Sequence, residues 1–325
     1  MLKYFTRGVA MEWFHYMFIG FGFLILLYIG LSYKFYLKLL VKFKRKNTQL
    51  VDHETEFYQE SYKWFQSIPK EDVYIRSYDN LKLHSYYIPS LDKNSNNLAI
   101  VIHGYQSKAT DMIIIGKLYS DLGFKVLMID LRAHGYSEGK FTSIGHYEKY
   151  DLKKWINFAL RSYGADNKVL LHGVSMGAAM SILVTELKIK KNVKFLVLDS
   201  SFTKFIESLR NIVKPKVLRV FFLGISMFTY LLHHFTLYQI KPINVIKKIE
   251  IPFMIIHSKE DTLVPVKMAN DLYVSGNVAR KDLLIIDNAP HAKAFEINKS
   301  RVMDRIVFNI SDIFGVKKTY IKKIE

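Results

Sequence analysis

At 325 residues, half of them hydrophobic, the chain can bury one large core or two modest ones, and this composition excludes wholesale disorder. It has no cysteine, which excludes disulfides, thiolate catalysis and cysteine-based zinc sites. The net charge is +18, and most of the excess sits in two stretches that are also rich in Phe, Leu, Ile and Tyr: residues 1–50 carry eight Lys/Arg against Glu12, and residues 203–250 carry eight against Glu207 and Glu250. Basic residues interleaved with apolar ones suit an anionic membrane surface, whereas no zinc-finger spacing or RNP-like motif occurs, so no nucleic-acid partner is expected.

Between Glu12 and Lys34 lie 21 residues without a formal charge, WFHYMFIGFGFLILLYIGLSY. As a helix rising about 1.5 Å per residue they match a hydrocarbon core of roughly 30 Å. Trp13, Tyr16 and Tyr33 lie near the ends, where aromatic rings favour the interface. No small-x-small cleavage site follows, so the reading is an uncleaved single-pass N-terminal anchor in the cell membrane. After it, KFYLKLLVKFKRK (34–46) places Lys34, Lys38 and Lys42 on one helical face, as in an interfacial helix. Six Lys/Arg follow the span and only Lys3 and Arg7 precede it, a bias that leans towards a cytoplasmic catalytic domain. The expected division is an anchor with its basic helix over 1–48 and a folded domain over 49–325.

Residues 49–70 read as a polar, partly helical linker. VYIRSY (73–78) and LKLHSYYI (81–88) flank Asp79-Asn80 and read as a hairpin. Short apolar runs then alternate with helical patterns. Strands are expected at 98–103, 125–130, 168–173, 194–199, 252–257 and 282–287, with helices near 111–122, 147–163, 176–190, 267–275 and 293–313. This alternation predicts an α/β fold with a mainly parallel sheet covered by helices on both faces. The gap at 203–250 is too long for a simple crossover and reads as a helical lid insertion. Its run VFFLGISMFTYLL (220–232) has thirteen residues, too few for a comfortable membrane span.

The chemistry starts at HGVSMG (172–177). Gly173 and Gly177, two before and two after Ser175, are what a sharp strand-to-helix turn needs if the serine hydroxyl is to be presented outward. A serine hydroxyl needs a base. His291, in NAPHAKAF, follows the last expected strand, and Asp261, in HSKEDTLVP, follows the strand before it and is placed to orient that histidine. All three fall just past strand C-terminal ends, the edge where open α/β sheets place their chemistry. The Met176 amide opens the following helix and the Tyr105 amide lies in HGYQSKA (103–109); together they are the expected oxyanion donors.

With HGYQS (103–107), DLRAHGYSEG (130–139), HGVSMG, DTLVP (261–265) and the His291 loop in view, the chain resembles the α/β-hydrolase-fold serine hydrolases over roughly residues 70–315. Within them it is similar to membrane-anchored bacterial members related to the serine aminopeptidase-like and acylglycerol-lipase-like groups. The resemblance implies a Ser175–His291–Asp261 triad with no metal or organic cofactor, and structural roles for His103 and His134, with Asp199 a fallback acid. Ala133 stands where many relatives carry glycine. The implied activity is hydrolysis of a carboxylic, acyl or lipid ester, with a peptidase or a non-catalytic membrane-surface binding protein as the alternatives.

Overall fold

The computed structural model describes residues 2–41 and 53–316. The residues of the basic helix beyond position 41 and of the linker before position 53 lie outside the described residues.

Eight strands form one sheet: β1 Glu71–Arg76, β2 Lys82–Ile88, β3 Asn97–Ile102, β4 Lys125–Ile129, β5 Lys168–Val174, β6 Val193–Asp199, β7 Phe253–Ser258 and β8 Lys281–Ile286. Their order is β1-β2-β4-β3-β5-β6-β7-β8. The expected hairpin is present, with Val73 opposite Ser85 and Ile75 opposite Leu83. β2 runs antiparallel to β4, and every pair from β4 onward is parallel. The helices are α1 Leu2–Tyr36, α2 Glu56–Ser67, α3 Ile113–Asp121, α4 Glu148–Tyr163, α5 Met176–Leu183, α6 Phe205–Ile212, α7 Phe221–His233, α8 Pro242–Ile246, α9 Val266–Ser275, α10 Ala294–Ile297 and α11 Lys299–Phe314.

The continuous apolar runs behave as strands buried on both faces. Ala99, Val101, Val126, Met128, Phe195 and Val197 belong to a core with Phe65 of α2, Ile113 of α3 and Ile306 of α11. The alternate residues Leu98, Ile100, Leu127, Leu171 and Leu196 point to the other face and are equally buried. Two helices expected as single pieces are divided. The pattern over 176–190 stops as α-helix at Leu183 and finishes as a tight turn, Val184–Leu187. The pattern over 293–313 breaks at Asn298, whose side chain caps α11 by accepting from the Arg301 amide at 3.2 Å.

His172 of β5 is fully buried with Nδ1 2.9 Å from the Tyr119 hydroxyl, and burial pushes its pKa down to about 3. A histidine that stays neutral when folded but protonates near pH 6.5 when unfolded supports the fold above that pH, and its contribution is lost as pH falls. The His172→Leu variant should therefore lose less stability between pH 7 and pH 5 than the parent, by about 2 kcal/mol. Urea unfolding at both pH values measures the difference, and parallel slopes would contradict it.

The chain divides into two compact units. One is the sheet with its helices; the other joins the N-terminal helix to residues 213–237. Residues 203–250, expected as one lid insertion, are thus shared: α6 and α8 belong to the sheet unit, and α7 packs along α1. A helical turn over Lys216–Val220 runs directly into α7, so the apolar helix has 18 residues instead of the thirteen its most hydrophobic run suggests. That helix and the one over Trp13–Val41 are both long and apolar enough to cross a membrane.

Candidate active site

β5 ends at Val174 and α5 begins at Met176, leaving Ser175 alone to make the turn at φ 54° and ψ −113°. Such a conformation costs a non-glycine residue about 1–3 kcal/mol and persists only where its surroundings enforce it. Here the Ser175 amide donates to the Asp199 carbonyl at 2.7 Å, and the Ser175 carbonyl accepts from the Ala179 amide at 3.1 Å. The flanking glycines have a steric reason. A β-carbon on Gly173 would lie 2.2 Å from the Gly177 carbonyl oxygen, and one on Gly177 would lie 2.3 Å from that of Ile102. Both obstacles are backbone, which cannot step aside. Gly177→Ala is expected to destabilise the chain by about 1–3 kcal/mol, read as a lower urea midpoint; an unchanged midpoint would refute the steric account.

The three residues named from sequence converge. His291, after β8, places Nε2 2.9 Å from Ser175 Oγ and Nδ1 2.5 Å from Asp261 Oδ2. Asp261, after β7, has a fully buried side chain, and its Oδ1 accepts the Leu263 and Val264 amides at 2.9 and 2.7 Å. With both Asp261 oxygens acting as acceptors, His291 Nδ1–H is the donor, and Nε2 is left to accept from the serine hydroxyl. Asp199 lies close by, but its Oδ1 accepts from the Ser200 hydroxyl at 2.8 Å; burial raises its pKa to about 6.

One neighbour escaped the sequence reading. His257, inside β7, sets Nε2 2.8 Å from the Val264 carbonyl and 3.6 Å from Asp261 Oδ2, and burial lowers its pKa. It buttresses the loop that carries Asp261. In sequence it is the penultimate residue of an apolar strand, and nothing local distinguishes it from a packed side chain.

The loop over 130–139 is tied down by charge. Asp130 accepts from the Ala109 and Tyr136 amides at 2.8 and 2.9 Å and lies 2.7 Å from His84 Nδ1. Burial acts to raise the Asp130 carboxyl, and its contacts with His84, His103 and these amides outweigh it and hold the pKa low. His103 Nε2 accepts from the Leu131 amide at 3.0 Å, and His134 Nε2 from the Gln106 amide at 3.2 Å. Both histidines therefore splice the 103–109 and 130–139 loops together. Ala133 sits at φ 61°, in the left-handed region that favours glycine, which adds backbone strain to this loop.

Of the expected oxyanion donors, Met176 is the first residue of α5, where no helical carbonyl precedes its amide as an acceptor. Tyr105 lies in the turn after β3, and β3 is the direct neighbour of β5, with Ile102 in register with Gly173. Among the described residues, no group of three or more His, Cys, Asp or Glu is arranged to hold a metal ion.

Comparison with known proteins agrees with this architecture. A family model described as the alpha/beta hydrolase fold matches residues 98–219. The protein YqkD of Bacillus subtilis is 29% identical over 259 residues, covering 79% of this chain and 84% of the relative. The lysophosphatidylserine lipase ABHD12 of Macaca fascicularis is 24% identical over 257 residues, covering 74% of this chain and 61% of the relative. Among solved structures, the Pyrococcus furiosus esterase Pf2001 superimposes with a TM-score of 0.63 at 26% identity, covering 81% of this chain and 96% of that one. By its sheet and by these likenesses, this chain has the α/β-hydrolase fold and is similar to hydrolases built on it.

Proposed function

We propose that the chain is a membrane-anchored serine hydrolase that cleaves carboxylic esters through an acyl-enzyme. The observation that carries this reading is the hydrogen-bonded line from Ser175 Oγ through the His291 ring to Asp261, at 2.9 and 2.5 Å. His291 Nε2 takes the hydroxyl proton as Ser175 Oγ bonds to the acyl carbon; Asp261 stabilises the imidazolium that forms. The Tyr105 and Met176 amides hold the oxyanion. His291 returns the proton to the leaving alcohol, and water, deprotonated by the same nitrogen, releases the acid.

An acyl or lipid ester is the substrate class favoured. Two observations support it: the basic, apolar segments around 1–50 and 203–250, and a relative that bears the name lysophosphatidylserine lipase. In this reading residues 1–48 form the anchor and basic helix, residues 49–325 the catalytic domain, and the charge bias leans towards the cytoplasmic side for that domain.

The test is labelling of the detergent-solubilised full chain with a fluorophosphonate probe. The parent is expected to label and the Ser175→Ala variant not to. Equal labelling of the two, or a folded parent that does not label, would remove the reading.

A further inference from the structure

α7 arranges its side chains in the opposite sense to a helix facing water. Leu223, Met227, Tyr230 and Leu231, at i, i+4, i+7 and i+8, form one stripe and are 64%, 40%, 58% and 61% exposed. The buried side holds Phe222 and Ile225 together with the small residues Gly224, Ser226 and Thr229. A water-facing helix exposes polar residues and buries the large apolar ones; helices paired in lipid put small residues at the contact and apolar residues outside. The contact with α1 is close for the same reason. A β-carbon on Gly224 would lie 2.1 Å from Ser32 Oγ.

α7 continues the surface of α1, whose residues from Trp13 to Leu27, Gly22 apart, are exposed and largely apolar. The pair is joined by aromatic rings at the end of the apolar stretch. Tyr28 stacks on Phe221 at 5.4 Å, and Phe228 lies 5.1 Å from Tyr33 and 6.0 Å from Tyr36. The Tyr28 hydroxyl donates to the Val220 carbonyl at 3.1 Å. Such rings favour the boundary between acyl chains and headgroups. The approach to α7 carries exposed Lys214 and Lys216, and no Asp or Glu occurs from Ser208 to Ile249. Lysines with apolar stems and charged ends suit anionic headgroups.

We propose that the exposed face of α7 is seated in a lipid bilayer beside α1, so that the chain contacts its membrane at two segments far apart in sequence. The proposal takes from the preceding section only the membrane anchor; it is independent of the ester chemistry.

The absence of native cysteine makes the test clean. Full-length Leu223→Cys and Leu231→Cys, each carrying an environment-sensitive fluorophore, would be reconstituted into phosphatidylcholine/phosphatidylglycerol vesicles with and without brominated acyl chains. Leu26→Cys on α1 and Leu91→Cys, 81% exposed on the sheet unit, serve as references. Brominated lipid is expected to quench positions 223 and 231 to within about twofold of position 26, and to leave position 91 unchanged. Quenching at 26 but not at 223 or 231 overturns this inference and leaves the anchor standing. No quenching at 26 removes both. Disulfide cross-linking of Leu223→Cys between copies, without quenching, overturns it in favour of a second copy of the chain.

Discussion

Ser175→Ala is expected to lower kcat/KM for a soluble acyl ester by about four to six orders of magnitude while leaving the urea midpoint within about 0.5 kcal/mol of the parent. The chemical reason is that, in the proposed mechanism, Ser175 Oγ, 2.9 Å from His291 Nε2, supplies the electron pair. The structural reason is that the turn is enforced by backbone contacts on either side of Ser175, so removing one oxygen leaves the elbow in place. Asp261→Asn should cost about four orders of magnitude for a different reason. The carboxylate that now accepts from His291 Nδ1 becomes an amide, and the tautomer with Nε2 free to accept is no longer enforced. Steady-state kinetics on a short-to-long acyl ester series, with the three chains side by side, provides the measurement. Retention by Ser175→Ala of more than about one hundredth of the parental rate would place the nucleophile elsewhere.

Arg132→Met is expected to destabilise the fold by about 3–5 kcal/mol. The guanidinium is 1% exposed and binds Asp151 through Nε and Nη2 at 2.6 and 2.8 Å, and Asp79 through Nη1 and Nη2 at 3.0 and 3.1 Å. It also lies over the Tyr78 and Tyr147 rings at 5.4 and 5.5 Å. Burial acts against its charge, and the carboxylates of Asp151, Glu148 and Asp79 more than restore it, so the pKa is raised. Removing the cation strands Asp151, 3% exposed, whereas Asp79, 38% exposed, can return to water. The Arg132→Met/Asp151→Leu double variant should therefore be less destabilised than the sum of its singles. Urea unfolding of the four chains gives the coupling; a loss below about 1 kcal/mol for Arg132→Met would show that the network contributes little. Activity should fall in parallel, because Arg132 sits in the loop whose His134 accepts from the Gln106 amide beside Tyr105.

Much of this was written locally. Strands such as Ala99–Ile102 and Phe195–Leu198 are legible because a strand covered on both faces has to be apolar at every position, whatever its neighbours. The elbow is legible because glycine at 173 and 177 answers a steric demand made within a few residues by the chain's own turn, joined by the Ile102 carbonyl of the next strand. The order Ser175, Asp261, His291 along the sequence, each after a strand, was enough to name residues that the fold brings within hydrogen-bond distance.

What lay beyond the sequence depends on partners distant along it. The place of β4 between β2 and β3 follows from packing of the whole sheet, not from residues 125–129. His257 acquires its contact with Asp261 only when the loop after β7 folds back. The split of residues 203–250 between two units was likewise invisible, since the apolar stretch over 220–232 reads the same whether it covers a sheet or lies along another helix. Local sequence determines which conformation a segment prefers and which of its faces is apolar. Only the tertiary structure decides what meets that face, because close packing selects among partners that hydrophobicity alone does not distinguish.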